Sequence, residues 1–489
     1  MIGMSLEPTV SLQDLLSALQ GNLIVEGDAA RLISGVTADS REVAPGMLFV
    51  ALRGTQTDGH RFIDAAIARG AGAVLAEERF AHPPDVTLLL VPDTTIAVSR
   101  IADRYYGSPS RHMSVVGVTG TNGKTTVAHM IAAIFNEAGL PAGTLGTLGV
   151  SVGEHHRTLH NTTPLSLELQ AVLAELRALG AEYVAMEVTS HALGLERVAD
   201  VHFQTAVLTN VTRDHLDFHG DVESYARTKR RLFEMAGACV FNLDDPFGAR
   251  WFAEFHSKKI AVSYALENAA EICAQKIELD RTGSRFTIGK TPFTLALPGR
   301  FNVSNALAAV AASSHFGVDR TIAARALARL PSLPGRMQRL SAGGIDVVVD
   351  YAHTPDALEN ALRALRETAH GRLWVVFGCG GDRDAGKRPQ MGAIAAQFAD
   401  RAIVTSDNPR TEDPRAIADA VTAGAGAGKL DVELDRSRAI ARAVADANAG
   451  DVVLIAGKGH ERQQIVGTHA LPFDDVAVAR AALEKRAER

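Results

Sequence analysis

The stretch Val115-Val116-Gly117-Val118-Thr119-Gly120-Thr121-Asn122-Gly123-Lys124-Thr125-Thr126 constrains this chain more than any other. A short β-branched run feeds a glycine-rich turn, and Lys-Thr-Thr then opens a helical pattern running from Val127 to Ala138. Strand, turn and helix in that order make a phosphate-binding loop. Glycines let backbone N–H groups close around phosphate oxygens, and the helix N-terminus adds partial positive charge. In this reading Gly120, Thr121, Asn122, Gly123 and Thr126 belong to the nucleotide cradle. Lys124 would reach the β- and γ-phosphates, and the Thr125 hydroxyl would sit on Mg²⁺; an ordinary strand–turn–helix is the alternative. The strict pattern G-x-x-x-x-G-K-[ST] fails at Val118, which stands where its first glycine belongs.

A chain of 489 residues is too long for one core and predicts two to four domains. The net charge of −6 argues against a nucleic-acid partner, which favours a basic patch. Cys239, Cys273 and Cys379 lie far apart with no C-x-x-C pair, so neither a disulfide framework nor a zinc site is expected. The first residues lack a basic segment followed by an apolar one, and no run of about 18 apolar residues appears. The expectation is a cytoplasmic protein with no membrane partner.

Along the chain, Ser11 to Leu19 has helical spacing, Ile33 to Asp39 and Gly46 to Leu52 read as strands, and Ile63 to Arg69 as a helix. Ser40, Arg41 and His60 suit an anionic or hydroxyl-rich ligand, or else plain turn chemistry, which spacing alone favours. From Ser114 to Arg336 strands alternate with helices. Tyr183 to Val188 is a buried strand carrying Glu187 near its end, and Ala206 to Asn210 is another. Ligands gather at the carboxyl ends of such strands. Pro331-Ser332-Leu333-Pro334-Gly335-Arg336 marks a boundary.

The last third has strand-like runs at Ile345 to Val349, Leu373 to Phe377, Ala402 to Thr405 and Val452 to Ala456. Helical patterns follow at Asp356 to Ala369, Gln390 to Phe398, Arg415 to Ala423, Ser437 to Asn448 and Asp475 to Lys485. That rhythm predicts a parallel, doubly wound sheet. The expected fold class is therefore α/β. Gly381 to Lys387 satisfies G-x-x-x-x-G-K, but Arg388 stands where Ser or Thr must bind the metal, so a polar substrate contact suits it better.

Two further constellations bear on chemistry. Asp214-His215-Leu216-Asp217-Phe218-His219-Gly220-Asp221, followed by Lys229, is dense in metal-ligating groups. Zinc wants several His or Cys at fixed spacing, so Mg²⁺ is the better expectation beside a phosphate loop, with His215 and Glu187 as ligands. A capped polar helix start is the alternative. Asp407-Asn408-Pro409-Arg410 follows a strand, and Arg410 there is suited to grip a carboxylate through paired N–H···O bonds, or the segment is a plain turn.

The loop Thr119 to Thr125 resembles that of the Mur ligases and their relative folylpolyglutamate synthase, whose glycine sits where Gly120 does. The resemblance spans essentially the whole chain. It includes Asp39-Ser40-Arg41, Asn161-Thr162-Thr163-Pro164, Glu187-Val188-Thr189-Ser190-His191, Asp214-His215-Leu216-Asp217 and Thr228-Lys229. It continues through Phe301-Asn302-Val303-Ser304-Asn305, Gly335-Arg336-Met337, Asp350-Tyr351-Ala352-His353, Asp407-Asn408-Pro409-Arg410 and Gly457-Lys458-Gly459-His460-Glu461. It implies a three-domain ligase. Residues 1–112 would bind a UDP-muramoyl substrate, 113–336 would form the central ATP-binding P-loop domain, and 337–489 a Rossmann-like domain for the amino acid.

The implied reaction is ATP-dependent addition of meso-2,6-diaminopimelate to the D-Glu of UDP-MurNAc-L-Ala-D-Glu through an acyl phosphate, in peptidoglycan precursor synthesis. In that resemblance Lys124, Glu187, His215 and Lys229 are catalytic. Metal ligation falls to Thr125, Glu187, His215 and Lys229, the last as a carbamate. Asn302 and Asn305 take the adenine side, and Arg336 and Asp350 complete the nucleotide contacts. Ser40, Asn161, Thr162, Thr163, Thr189 and Arg197 bind the UDP-muramoyl dipeptide. Arg383, Asp407, Asn408, Pro409, Arg410, Gly457 and Glu461 bind diaminopimelate. Thr189 departs from the usual Ser, and Leu195 from the Gln of many members. A monomer is expected. The alternatives are a lysine-adding ligase, folylpolyglutamate synthase, or a nucleotide-dependent switch.

Overall fold

The computed structural model describes residues 9–19, 21, 23–54, 57–426 and 428–488. The extreme N-terminus, read above for a leader segment, lies outside them. The chain divides into two compact units. The first takes residues up to Gly117 with Leu140–Ala206 and Arg231–Gly237; the second takes Val118–Gly139, Val207–Arg230 and Ala238 onward. Among the described residues no helix is long and apolar enough to cross a membrane.

In the first unit a five-stranded sheet runs in the order Ile24–Glu26, Thr87–Leu90, Ala73–Ala76, Leu48–Val50, Val36–Thr37. Its last four strands are parallel, and only Ile24–Glu26 is antiparallel. Alternate side chains serve two cores, as the period of a strand requires. Leu48, Val50, Ala73 and Leu75 pack with Ile101 and Tyr105 of the helix Thr94–Tyr105. Phe49, Val74 and Ala76 pack with Ile63 and Ala66 of the helix Ile63–Ala68.

The strand expected over 33–39 is instead two strands in different sheets. Leu32–Ile33 pairs antiparallel with Val10–Ser11, and Val36–Thr37 pairs parallel with Leu48–Val50. The crossing falls at Ser34-Gly35, where a Cβ on Gly35 would collide with the Met47 side chain. The helix expected over 11–19 is the shorter Leu12–Leu16, capped by Ser11 accepting from Asp14 N. A second group of strands in this unit, Ala142–Gly146, Gly149–Val152 and His155–Arg157, forms an antiparallel meander. Tyr183–Glu187 lies parallel beside Ala142–Gly146 and delivers Glu187 at its end.

The second unit holds the helix Lys124–Glu137, packed on the buried helix Arg300–Ser314. Parallel strands Ala238–Asn242, Ile260–Ala265 and Ile272–Cys273 accompany them, followed by an antiparallel sheet of Gln275–Leu279, Ser284–Ile288 and Thr291–Leu295. A six-stranded sheet then runs Gln338–Ala342, Ile345–Asp350, Val452–Ala456, Leu373–Phe377, Arg401–Val404, Asp431–Val432. Only Gln338–Ala342 is antiparallel.

Both faces of this sheet are covered. Val375, Phe377 and Leu454 face the helices Pro355–Thr368, Lys387–Phe398 and Pro414–Thr422. Trp374, Val376, Val453 and Ile455 face Arg436–Asp446 and Asp475–Ala487. The strands read as unbroken apolar runs because neither face meets water. Val452–Ala456, late in sequence, inserts between Ile345–Asp350 and Leu373–Phe377, which makes a switch point at the strands' carboxyl ends.

Candidate active site

In the second unit the phosphate loop has the geometry its glycines permit. Gly120 has φ +149° and Gly123 φ +88°, conformations that L side chains rarely adopt. A Cβ at Gly120 would collide with Thr209 Oγ1, and one at Gly123 would meet Asn305 Oδ1. The loop is pinned to the segment after the strand Phe203–Leu208. Thr121 N donates to Asn210 O at 2.8 Å, Asn122 N to Asn210 Oδ1 at 3.0 Å, and Thr209 Oγ1 to Asn122 O at 2.6 Å. Thr121 Oγ1 also lies 3.2 Å from the buried Tyr225 hydroxyl.

Two lysines meet over this loop. Lys124, at the helix start, folds its ammonium back to donate to Gly120 O at 2.9 Å and Thr121 O at 2.8 Å. Lys229, from the helix Val222–Met235, donates to the same Gly120 oxygen at 2.8 Å. Its Nζ is 4.5 Å from the Tyr225 ring centre. Burial first, and then the neighbouring Lys124, hold the Lys229 amine well below the usual lysine range, with Asp214 opposing. Burial works to raise the Asp214 carboxyl, but His215, His353, Lys387 and Lys124 together keep it below the ordinary range. Asp214 Oδ2 lies 3.2 Å from His215 Nε2, and His215 has φ +53°.

Of the expected pair Arg336 and Asp350, Arg336 reaches the loop helix within the same unit. Arg336 Nη2 donates to Thr125 Oγ1 at 2.9 Å, and its guanidinium lies 4.6 Å from the Tyr351 ring centre. Arg336 Nε is buried with no partner among the described residues. Asp350 accepts from Met337 N and Ala352 N at 2.7 and 2.9 Å, fixing the segment that carries Arg336. Asn122 Nδ2 donates to Asp356 Oδ2 at 2.8 Å. Asn302 and Asn305 are buried on the helix Arg300–Ser314 and bonded to each other at 3.2 Å. Thr126 is buried in the first turn of the loop helix.

At the carboxyl ends of the six-stranded sheet, Asp407, Asn408, Pro409, Arg410, Gly457 and Glu461 come together. Asn408 Nδ2 donates to Glu461 Oε2 at 2.9 Å. Arg410, half-buried with φ +50°, donates through Nη1 to Gly381 O at 2.7 Å, and its amide to Ile465 O at 3.1 Å. Gly457 has φ +116°, and a Cβ there would approach Asp407 Oδ2. Arg383 stands on the loop 381–387, its Nη1 donating to Asp382 O at 2.9 Å. That loop is held by charge pairs: Arg388 to both oxygens of Glu412 at 2.8 Å, and Asp384 to Arg213 at 3.2 Å.

The first unit contains its own cluster. Glu187 Oε1 accepts from Thr147 N at 2.7 Å and Oε2 from Thr147 Oγ1 at 3.1 Å. Thr147 Oγ1 lies 3.1 Å from Thr162 Oγ1. Thr163 Oγ1 donates to Glu187 O at 2.8 Å and accepts from Thr189 N at 3.2 Å. Arg197 Nη1 donates to Thr163 O at 3.0 Å, and its buried Nε has no partner among the described residues. Thr189 caps the helix Ser190–Gly194, which ends at Leu195. Ser40 and Asn161 sit on loops. Arg41 and His60 serve turns: Arg41 pairs with Asp39 at 2.6 Å, and His60 bridges Asp58 and Glu77 N at 2.7 and 3.0 Å.

Sequence reasoning gave no role to Thr147, Tyr225, Asp356 or Lys458. Thr147 lies in no motif, and Tyr225 and Asp356 stand in runs read for other residues. Lys458 lies inside a quoted motif, but only the fold reveals that its ammonium is wholly buried.

Comparison with known proteins gives this arrangement a family. The Mur ligase family catalytic domain matches residues 32–106, the Mur ligase middle domain 118–313, and the Mur ligase glutamate ligase domain 335–459. A UDP-N-acetylmuramoyl-L-alanyl-D-glutamate–2,6-diaminopimelate ligase of Gloeobacter violaceus is 46% identical, over 94% of this chain and 95% of that one. One from Geobacillus thermodenitrificans is 42% identical over 98% and 100%. A solved structure of a ligase with the same description is 33% identical, with a TM-score of 0.68 over 98% of this chain and 99% of that one. The chain belongs to the Mur ligase family.

Proposed function

We propose that this chain is an ATP-dependent ligase that joins meso-2,6-diaminopimelate to the D-Glu of UDP-MurNAc-L-Ala-D-Glu. It releases ADP and phosphate in peptidoglycan precursor synthesis. The observation that carries the reading is the grouping of Asp407, Asn408, Arg410 and Glu461 at the carboxyl ends of one sheet, in the same unit as the phosphate loop. Arg410 supplies a fork for the distal carboxylate that distinguishes diaminopimelate from lysine, and Glu461 an anion for its ammonium.

The D-Glu side-chain carboxylate attacks the γ-phosphorus of ATP, and ADP leaves. An amine of diaminopimelate then attacks the acyl carbon, and phosphate departs carrying an oxygen from the former carboxylate. Phosphoryl transfer of this kind is governed by positioning and charge neutralisation. Lys124, folded on its own loop, is placed to turn onto the phosphates, and Arg336 reaches the loop helix at Thr125. Asn302 and Asn305 take the adenine side. Ser40, Asn161, Thr162, Thr163, Thr189 and Arg197 take the UDP-muramoyl dipeptide, and Arg383, Pro409 and Gly457 complete the amino-acid side.

Mg²⁺ suits the donors present. Within the second unit Thr125 offers a hydroxyl and His215 an imidazole, and the first unit carries the Glu187 carboxylate. Burial favours the unprotonated form of the Lys229 amine, and that form can add to CO₂ with loss of a proton, giving a carbamate with two more oxygens. An unmodified lysine ammonium would repel the cation. When bound, Mg²⁺ would offset negative charge on the phosphate oxygens.

The proposal includes domains at 1–112, 113–336 and 337–489, a cytoplasmic location and a monomer. ADP release measured with UDP-MurNAc-L-Ala-D-Glu and either meso-diaminopimelate or L-lysine tests it. Turnover with the former and little with the latter is expected. Absence of turnover with diaminopimelate would overturn the activity, and equal turnover with lysine the specificity.

A further inference from the structure

Lys458 lies between Gly457 and Gly459 at the end of the strand Val452–Ala456, and its side chain is 0% exposed. Its ammonium spends its donors on three side chains: Asn408 Oδ1 at 2.9 Å, Glu461 Oε2 at 3.1 Å and Asp407 Oδ1 at 3.5 Å. Asn408 closes the figure by donating Nδ2 to the same Glu461 oxygen at 2.9 Å, while its Oδ1 also accepts from Ile465 N at 3.0 Å. With a cation and an amide N–H on one side and a carboxylate on the other, the Asn408 amide has only one satisfactory orientation.

The arrangement aims Glu461. Both of these bonds converge on Oε2, and about a third of the side chain is exposed (32%). One carboxylate oxygen is thus anchored inside the protein by two donors, while the side chain stays partly open to solvent. A buried ammonium makes charge-assisted bonds far less mobile than those of a surface lysine. It also separates Asp407 from Glu461, two carboxylates that would otherwise repel.

We infer that Lys458 is a positioning residue for the amino-acid substrate. It locks Asn408 and Glu461 so that Glu461 meets the substrate's ammonium group. This rests on the proposed amino-acid site, and Lys458 acts through Glu461 rather than on the substrate. Its glycine neighbours serve the same end: Gly457 at φ +116° and Gly459 at φ +55° turn the backbone so that the lysine points inward.

A double-mutant cycle of Lys458→Met and Glu461→Gln tests this, with KM read separately for diaminopimelate, ATP and the UDP-dipeptide. Loss of a charge-assisted bond predicts that Lys458→Met raises the diaminopimelate KM roughly 10- to 100-fold. The KM values of the other two substrates should stay near wild type, and the double variant should be no worse than Glu461→Gln alone. Additive effects, or an equal rise for all three substrates, would overturn the inference. If Lys458→Met does not fold by thermal melt, Lys458→Gln enters the same cycle and is judged by the same two outcomes. A wild-type enzyme inactive with diaminopimelate would refute the underlying site assignment. Normal wild-type turnover with an unaltered KM in the variant would refute only the role of Lys458.

Discussion

Lys124 and Lys229 donate to one and the same acceptor, the Gly120 carbonyl, at 2.9 and 2.8 Å. Burial first, and then the repulsion between two ammonium groups so close, hold the buried Lys229 well below the usual lysine range. Lys229 is therefore the group to titrate. Its folded pKa lies below its unfolded value, so the unfolded chain binds the extra proton between the two. In CO₂-free buffer, stability should rise with pH from the depressed folded value up to about 10.4, with a limiting slope of about 1.4 kcal/mol per pH unit. Thermal melts across that window should show the rise in wild type and its loss in Lys229→Met. Equal profiles would mean that Lys229 is charged in the fold.

With bicarbonate present, mass spectrometry under mild conditions should detect a CO₂ unit on Lys229, and its removal should lower activity. An active enzyme with an unmodified lysine would rule out the carbamate.

Gly120→Ala should abolish ATP turnover and cost about 1–3 kcal/mol of stability, since the φ of +149° is strained for alanine and the methyl displaces Thr209 from Asn122 O. Urea titration alongside ATP binding checks this. Unchanged binding would show that the loop tolerates a Cβ.

Arg410→Ala should raise the diaminopimelate KM by roughly 10- to 100-fold and leave that for ATP near wild type. Steady-state kinetics decides it. Comparable effects on both would assign the arginine to architecture, through its bond to Gly381 O.

Arg436 and Asp475, both 0% exposed, form a two-bond pair at 2.8 and 2.8 Å that also ties the guanidinium to Ala456 O at 3.0 Å. Asp475→Ala strands a buried cation and should cost about 3–5 kcal/mol. Replacing both partners with apolar residues should cost much less. Urea midpoints of the three variants test the difference; a double variant as unstable as the single would mean that packing, not charge, dominates.

The parallel strands and helices at the heart of the last third were largely legible, whereas Gln338–Ala342, Asp431–Val432, Gln463–Val466 and His469–Pro472 went unread. Leu373–Phe377 and Val452–Ala456 match the expected strands because strands buried on both faces leave unbroken apolar runs. The antiparallel sheet over 275–295 went unread. Gln275, Lys276 and Glu278 keep one strand largely polar and exposed, so its period carries little signal. Ile33 to Asp39 looked continuous because apolar spacing cannot show that a chain changes sheets at Gly35. In the site, the phosphate loop was legible because its chemistry is local. Lys458 with Asn408, and Thr147 with Glu187, join residues 50 and 40 positions apart, and such pairings exist only once the strands are assembled.

The proposed reaction turns on an acyl phosphate on the D-Glu carboxylate, consumed by diaminopimelate. UDP-MurNAc-L-Ala-D-Glu labelled with heavy oxygen in that side-chain carboxylate, incubated with ATP and meso-diaminopimelate, gives the decisive measurement. The expected products are a UDP-muramoyl tripeptide and released phosphate that has gained one heavy oxygen. ADP without tripeptide, or tripeptide with unlabelled phosphate, would contradict that reaction.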